Sequence, residues 1–329
     1  MRPTVSGLRA LRGAMLAATI LTAASACDKL TPAFAARSER PAHVAAPADT
    51  LDISGRPRML YQVFGERSDP RMLPVAALTD GILRPLTFSD EGWRVFDRTY
   101  HQPGALYTLY RDGRATGTAR VMRPMWDASG APLYSLPHCA RPTPLAAARV
   151  KAPPPLGYMV EFLATDAPLP TPARRIARGQ QTGARDPLAA AQRIAAAVAQ
   201  STGLPMELLA TLDFDAATVA TGVGETPTLV LSLVDAEAGT DQSANGIHLF
   251  ALADRVGTEI IPSYARVVRG DGPGQYRRYV DHLDLTGDGV DELVLEGWTE
   301  GQESYLLILQ FQRGRWAEVF RGRTNWCLD

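Results

Sequence analysis

Glu292–Phe320 reads ELVLEGWTEGQESYLLILQFQRGRWAEVF, and its spacing decides the fold class. Three runs rich in aliphatic and aromatic residues, Glu292–Trp298, Ser304–Gln312 and Arg315–Phe320, alternate with polar breaks, the last being Arg313-Gly314. Apolar runs this short, bounded by turn residues, read as strands rather than helices. Connections this short place consecutive strands side by side and antiparallel, so the segment predicts a β-meander.

The pattern extends upstream. Thr228–Val234 places Leu229, Leu231 and Leu233 on one side of a strand, and Ile247–Ala253 and Glu259–Val268 follow as further strands. The clearest helix precedes them, with Asp186 as its cap, Pro187 in its first turn, and Gly203 with Pro205 at its end. Leu188, Ala191, Ile194, Ala195 and Val198 form its apolar stripe. Between Leu51 and Thr165 the signals are mostly β. Ala105–Tyr110 and Thr116–Val121 flank Arg111-Asp112-Gly113-Arg114, and Asp-Gly between two strand-like runs marks a hairpin whose central residues take positive φ. Tyr158–Leu163 reads as another strand, and the prolines at Pro142–Pro144 and Pro153–Pro155 keep these strands short. The expected fold is mainly β with one clear helix (α+β). A β-rich N-terminal domain at 51–165 and a linker at 166–185 lead to a helix plus antiparallel meander, or blade-like, domain at 186–329.

Charge narrows the function. Lys+Arg 34 against Asp+Glu 35 gives a net charge of −1, which offers no electrostatic footprint for nucleic acid or for an acidic membrane surface. Lys29 and Lys151 are the only lysines, so Schiff-base chemistry and phosphate-loop nucleotide hydrolysis have almost no candidate residue. The chain has no G-x-S-x-G, H-E-x-x-H or C-x-x-C motif. Asp213 and Asp215 would share one side of a strand, and acids beside a turn are expected to face water. Gly222-Val223-Gly224-Glu225-Thr226 lacks the lysine of a phosphate loop and precedes a strand. His282 stands near Asp281 and Asp284 and is read as a surface histidine; Trp93, Trp126, Trp298, Trp316 and Trp326 are expected in core or rim packing.

One segment carries chemistry. Asp284-Leu285-Thr286-Gly287-Asp288-Gly289-Val290-Asp291-Glu292 joins two strand-like runs, with oxygens at every second position: Asp284, Thr286, Asp288, the Val290 carbonyl and Glu292. Calcium takes six to eight hard oxygen donors, and a tight loop with alternate residues turned inward presents most of them. The segment from about Tyr279 to Phe320 resembles the Asp-rich loop of FG-GAP and related propeller-type repeats, where an apolar strand such as Leu293-Val294-Leu295 follows directly. Thr286 departs from the usual Asn or Asp, and one copy is too few for a full propeller. The resemblance implies Ca2+ held by Asp284, Thr286, Asp288, Val290 and Glu292. A plain Asp-Gly turn with its acids in solvent is the other reading.

The N-terminus reads as an export signal. Arg2, Arg9 and Arg12 precede the apolar run Gly13–Ala26, which is too short to span a bilayer and suits a signal peptide at 1–26. Ala24-Ser25-Ala26 before Cys27 resembles the lipobox of bacterial lipoproteins, which implies lipidation of Cys27, a tether at 27–50, and an exported, membrane-anchored protein facing the periplasm or cell surface. Ala33-Phe34-Ala35 offers an ordinary cleavage site instead. Acylation of Cys27 leaves Cys139 and Cys327 as an even pair for a disulfide in an oxidising compartment.

Two functions from different classes follow. One is a non-catalytic, lipid-anchored envelope binding or scaffold protein, calcium-stabilised, with an envelope protein or glycan partner and no nucleic acid. The other is a cell-envelope hydrolase acting on glycan or peptide.

Overall fold

In the computed structural model, residues 51–136, 139, 143–153, 157–169, 187–235, 246–269, 275–299, 303–322 and 327 are described. They all lie within Val44–Asp329, one compact unit. Cys27, the 1–26 leader, the 27–50 tether, residues 170–185 of the linker, Asp186 and Trp326 lie outside the described residues.

The first half comprises β1 (Arg58–Glu66), β2 (Arg71–Thr79), β3 (Ile82–Pro85), α1 (Asp90–Tyr100), β4 (Leu106–Arg111), β5 (Arg114–Arg123), β6 (Ser135–Leu136), β7 (Thr143–Pro144), β8 (Ala146–Lys151) and β9 (Met159–Thr165). Six of these strands run β1-β9-β4-β5-β8-β2 and close through β1–β2 pairing into an antiparallel barrel, with β3 added beside β2. Closure removes the open edges that an isolated sheet would expose. The β4–β5 hairpin turns where the Asp-Gly signal places it, with Asp112 at φ 53° and Gly113 at φ 71°.

Met59, Tyr61, Leu109, Val121 and Phe162 face into the barrel, where they pack with Trp93, Phe96 and Tyr100 of α1. The reading of 51–165 as mostly β did not include this helix. Its local signals are nonetheless present. Ser89 accepts the Gly92 amide at 3.1 Å, Asp90 and Glu91 fill the first turn, and Arg98 the last. These charges complement the helix dipole, and the aromatic spacing puts one face into the core.

The second half begins with α2 (Pro187–Thr202) and α3 (Met206–Leu209), where Gly203 at φ 68° ends α2. Two four-stranded antiparallel meanders follow. The first is β10 (Asp213–Val219), β11 (Thr228–Val234), β12 (His248–Val256) and β13 (Glu259–Val268); the second is β14 (Gln275–Leu283), β15 (Glu292–Thr299), β16 (Glu303–Gln312) and β17 (Arg315–Arg321). The fold is therefore mainly β with few helices, as expected.

The elements stack in layers. Ala191, Ile194 and Val198 of α2 cover Leu231 and Leu249 of the first meander. Its opposite face, Phe250 and Leu252, packs on Leu293, Leu295, Leu307 and Leu309 of the second. The far side of the second, Val294, Leu306 and Ile308, packs on the barrel's outer residues Leu60, Leu78 and Leu163. A strand between two apolar layers needs apolar residues at both parities, which explains the unbroken Leu306-Leu307-Ile308-Leu309 run. Each such side chain contributes about 1.5–3 kcal/mol relative to exposure.

Candidate functional site

The loop between β14 and β15 is closed by its own hydrogen bonds. Asp284 accepts the Gly287 amide at 2.8 Å through Oδ1 and the Gly289 amide at 3.1 Å through Oδ2. Asp288 Oδ1 accepts the Val290 amide at 2.7 Å. Glu292, fully buried, accepts the Leu285 amide at 2.7 Å and the Thr286 amide at 3.2 Å through Oε2, and the Thr286 hydroxyl at 2.8 Å through Oε1. Gly287 and Gly289 take φ 78° and 85°, which lets the backbone curl around Asp284.

Burial pushes the Glu292 carboxyl up to about 7, while the Thr286 hydroxyl and the Leu285 and Thr286 amides pull it down. The loop also touches other parts of the fold. The Asp291 amide donates to the Thr221 carbonyl at 2.8 Å, and a Cβ on Gly81 of the β2–β3 turn would lie 2.9 Å from the Thr286 carbonyl oxygen. The loop thus joins its own sheet to the first meander and the barrel.

The fit to calcium follows from this geometry. Asp284, Asp288 and Glu292 are each turned onto backbone amides of the loop, and Thr286 spends its hydroxyl proton on Glu292. Among the described residues, no three His, Cys, Asp or Glu side chains converge as metal ligands. As folded, the acids of the loop are turned onto its amides and do not present a converging shell of oxygens.

A second cluster lies where the β4–β5 hairpin tip meets β14. Asp281 Oδ1 accepts the Gly113 amide at 3.1 Å and the His282 amide at 2.8 Å. His282 Nδ1 pairs with the Tyr279 hydroxyl at 2.6 Å, and Nε2 lies 3.7 Å from Asp291 Oδ2. Burial lowers the His282 pKa to about 4 and raises that of Asp281 to about 6. The imidazole is neutral at neutral pH, so its approach to two carboxylates is a packing arrangement, not an ion pair. His282 is buried, contrary to its reading as a surface residue.

A third centre was not anticipated. Asp254 on β12 is buried and accepts hydrogen bonds from Thr228 at 2.6 Å, from Ser263, and from the Trp316 indole at 2.9 Å. These donors come from β11, β13 and β17, so one carboxylate stitches both meanders together. The sequence signal was an acid at the same parity as Phe250 and Leu252, on the face that packs against the second meander.

The remaining candidates have plain placements. Asp213 and Asp215 are exposed on β10. Trp93 and Trp316 are buried, while Trp126 and Trp298 are partly covered. Cys139 and Cys327 form a disulfide across 188 residues, with Cα atoms 5.5 Å apart. No protein-family model, curated protein or solved structure matches the chain.

Proposed function

We propose that this protein is a lipid-anchored envelope binding or scaffold module, with an envelope protein or glycan as its partner. The observation that carries the reading is the use made of its buried acids. Asp97 accepts from Met125 and Trp126 and holds His101; Asp254 joins four strands; Asp281 holds the hairpin tip; Asp284 and Glu292 shape their loop. These buried acids thus serve as structural joints, Asp254 and Asp281 between layers and the others within a segment, which suits a rigid body that presents surfaces. The Cys139–Cys327 bond supports an oxidising compartment. No helix among the described residues is long and apolar enough to cross a membrane, and the proposed attachment is the lipid on Cys27.

Crosslinking in the native envelope, followed by mass analysis of the mature chain, tests this reading. A diacylglyceryl Cys27 and one reproducible partner are expected. Release of small glycan or peptide products by the purified protein would replace it with the hydrolase reading.

A further inference from the structure

Away from the hairpin tip, where Tyr110 and Gly113 meet the second meander, the barrel wall formed by β4, β5 and β8 carries a basic, exposed stretch. Strand register places Arg120 directly opposite Arg149, Thr118 opposite Lys151, Leu106 opposite Arg120, and Arg123 opposite Ala147. Ala119, Val121, Ala146 and Ala148 point into the barrel, so alternation turns Arg120, Arg149 and Lys151 outward, and the bulge at Met122 returns Arg123 to the same outer face. All four cations are exposed. The three strands contain no acidic residue. Arg120, Arg149 and Lys151 make no hydrogen bond or ion pair among the described residues, and Arg123 reaches only the Tyr134 hydroxyl at 3.2 Å.

Like charges directly opposite across two strands destabilise a sheet, and nothing within the described fold offsets the Arg120–Arg149 pair. A chain with net charge −1 has acids to spare, yet none is placed here. Two apolar side chains stand among the cations, Leu106 at 54% exposure and Met122 at 39%. Cations around exposed apolar groups match the boundary between lipid headgroups and acyl chains, where both kinds of side chain find a partner. The second meander packs on outer residues of β1, β2 and β9 and on Tyr110 of β4, whereas Arg120, Arg123, Arg149 and Lys151 of β5 and β8 stay exposed.

We propose that the β4–β5–β8 wall binds an anionic membrane surface through lipid phosphates, with Arg120, Arg123, Arg149 and Lys151 as the contacting cations. The contact orients the barrel on the bilayer. It is a property of the wall alone and holds whether or not Cys27 carries a lipid.

Lys29 and Lys151 are the only lysines, which gives a site-resolved test on the full chain carrying Cys27→Ser. The protein is mixed with phosphatidylglycerol or phosphatidylcholine vesicles, treated with an amine-acylating reagent, and the two lysines are compared by mass spectrometry. Phosphatidylglycerol should slow acylation of Lys151 about tenfold relative to phosphatidylcholine, and added salt should reverse the protection. Arg120→Glu with Arg149→Glu, both on the surface, should keep the melting temperature and remove the protection. Equal Lys151 reactivity on both vesicles overturns the proposal, and so does full protection in a folded double variant. Protection by polyglutamate but not by phosphatidylglycerol also overturns it and assigns the wall to an acidic protein. If the double variant does not fold, the comparison of vesicles on the parent chain decides.

Discussion

A Cβ on Gly113 would overlap the imidazole of His282. The barrel hairpin and the second meander therefore fit only because residue 113 lacks a side chain. The same residue sits at φ 71° and donates its amide to Asp281 at 3.1 Å. Gly113→Ala meets backbone strain and overpacking together. It should cost about 2–4 kcal/mol, against well under 1 kcal/mol for a glycine at an exposed, unstrained position. Urea denaturation of both proteins measures the difference, and a loss below about 0.5 kcal/mol would mean that the hairpin tip does not rest on His282.

The Cys139–Cys327 bond closes a loop of 188 residues and ties the C-terminal segment back to the barrel. Replacing both cysteines with serine should cost about 2–5 kcal/mol. Guanidinium unfolding with and without reductant should show the parent chain falling to the variant's midpoint. A variant insensitive to reductant, with an unchanged midpoint relative to oxidised parent, would remove the bond from the list of stabilising features.

Acid–base behaviour separates two opposing groups. Glu292 at about 7 and Asp281 at about 6 both lie above their ordinary values, so their contribution is fully present at acidic pH and is lost as pH rises through those values. His282 at about 4 and His248 at about 3 lie below theirs, so their contribution is present above about pH 6.5 and is lost as pH falls. Glu292→Gln removes one of the first pair. Its melting temperature relative to parent should be most favourable near pH 8 and should lose ground steadily toward about pH 4.5. A difference that does not vary with pH would show that Glu292 titrates as an ordinary carboxylate.

The acids of the Asp284 loop are turned onto its own amides and do not converge, so calcium finds no preformed shell there. Melting temperatures in millimolar calcium and in chelator should agree within about 1 °C, since a ligand stabilises only in proportion to its occupancy. A rise of several degrees, abolished by Asp288→Ala, would establish an ion site and restore the FG-GAP resemblance as a functional one.

The legibility of this protein varied by residue. Thr228–Val234 and Glu259–Val268 were readable to the residue because their turns and apolar parity are local. α1 lies inside a stretch read as mostly β, although Ser89 and the Trp93, Phe96 and Tyr100 spacing are local helix signals. Asp281 and His282 were visible as neighbours, but their burial depends on a hairpin nearly 170 positions earlier in the chain. Asp254 falls just past the expected strand Ile247–Ala253, and its role depends on donors from three other strands.

By itself the sequence determined the meander strands from Thr228–Val234 onward, the α2 helix, the Asp112-Gly113 turn and, with Cys27 acylated, the even pair Cys139 and Cys327. Those follow from side-chain period, turn stereochemistry and cysteine arithmetic, all set over a few residues or by composition. Only the tertiary structure decided that the first six long strands close into a barrel and that the second meander lies between two apolar layers. It alone brought Arg120 opposite Arg149 and turned the Asp284 carboxylates onto their own backbone. Closure, layering and cross-strand neighbours join residues far apart in sequence, and local pattern carries no record of which distant surface each apolar or charged face will meet.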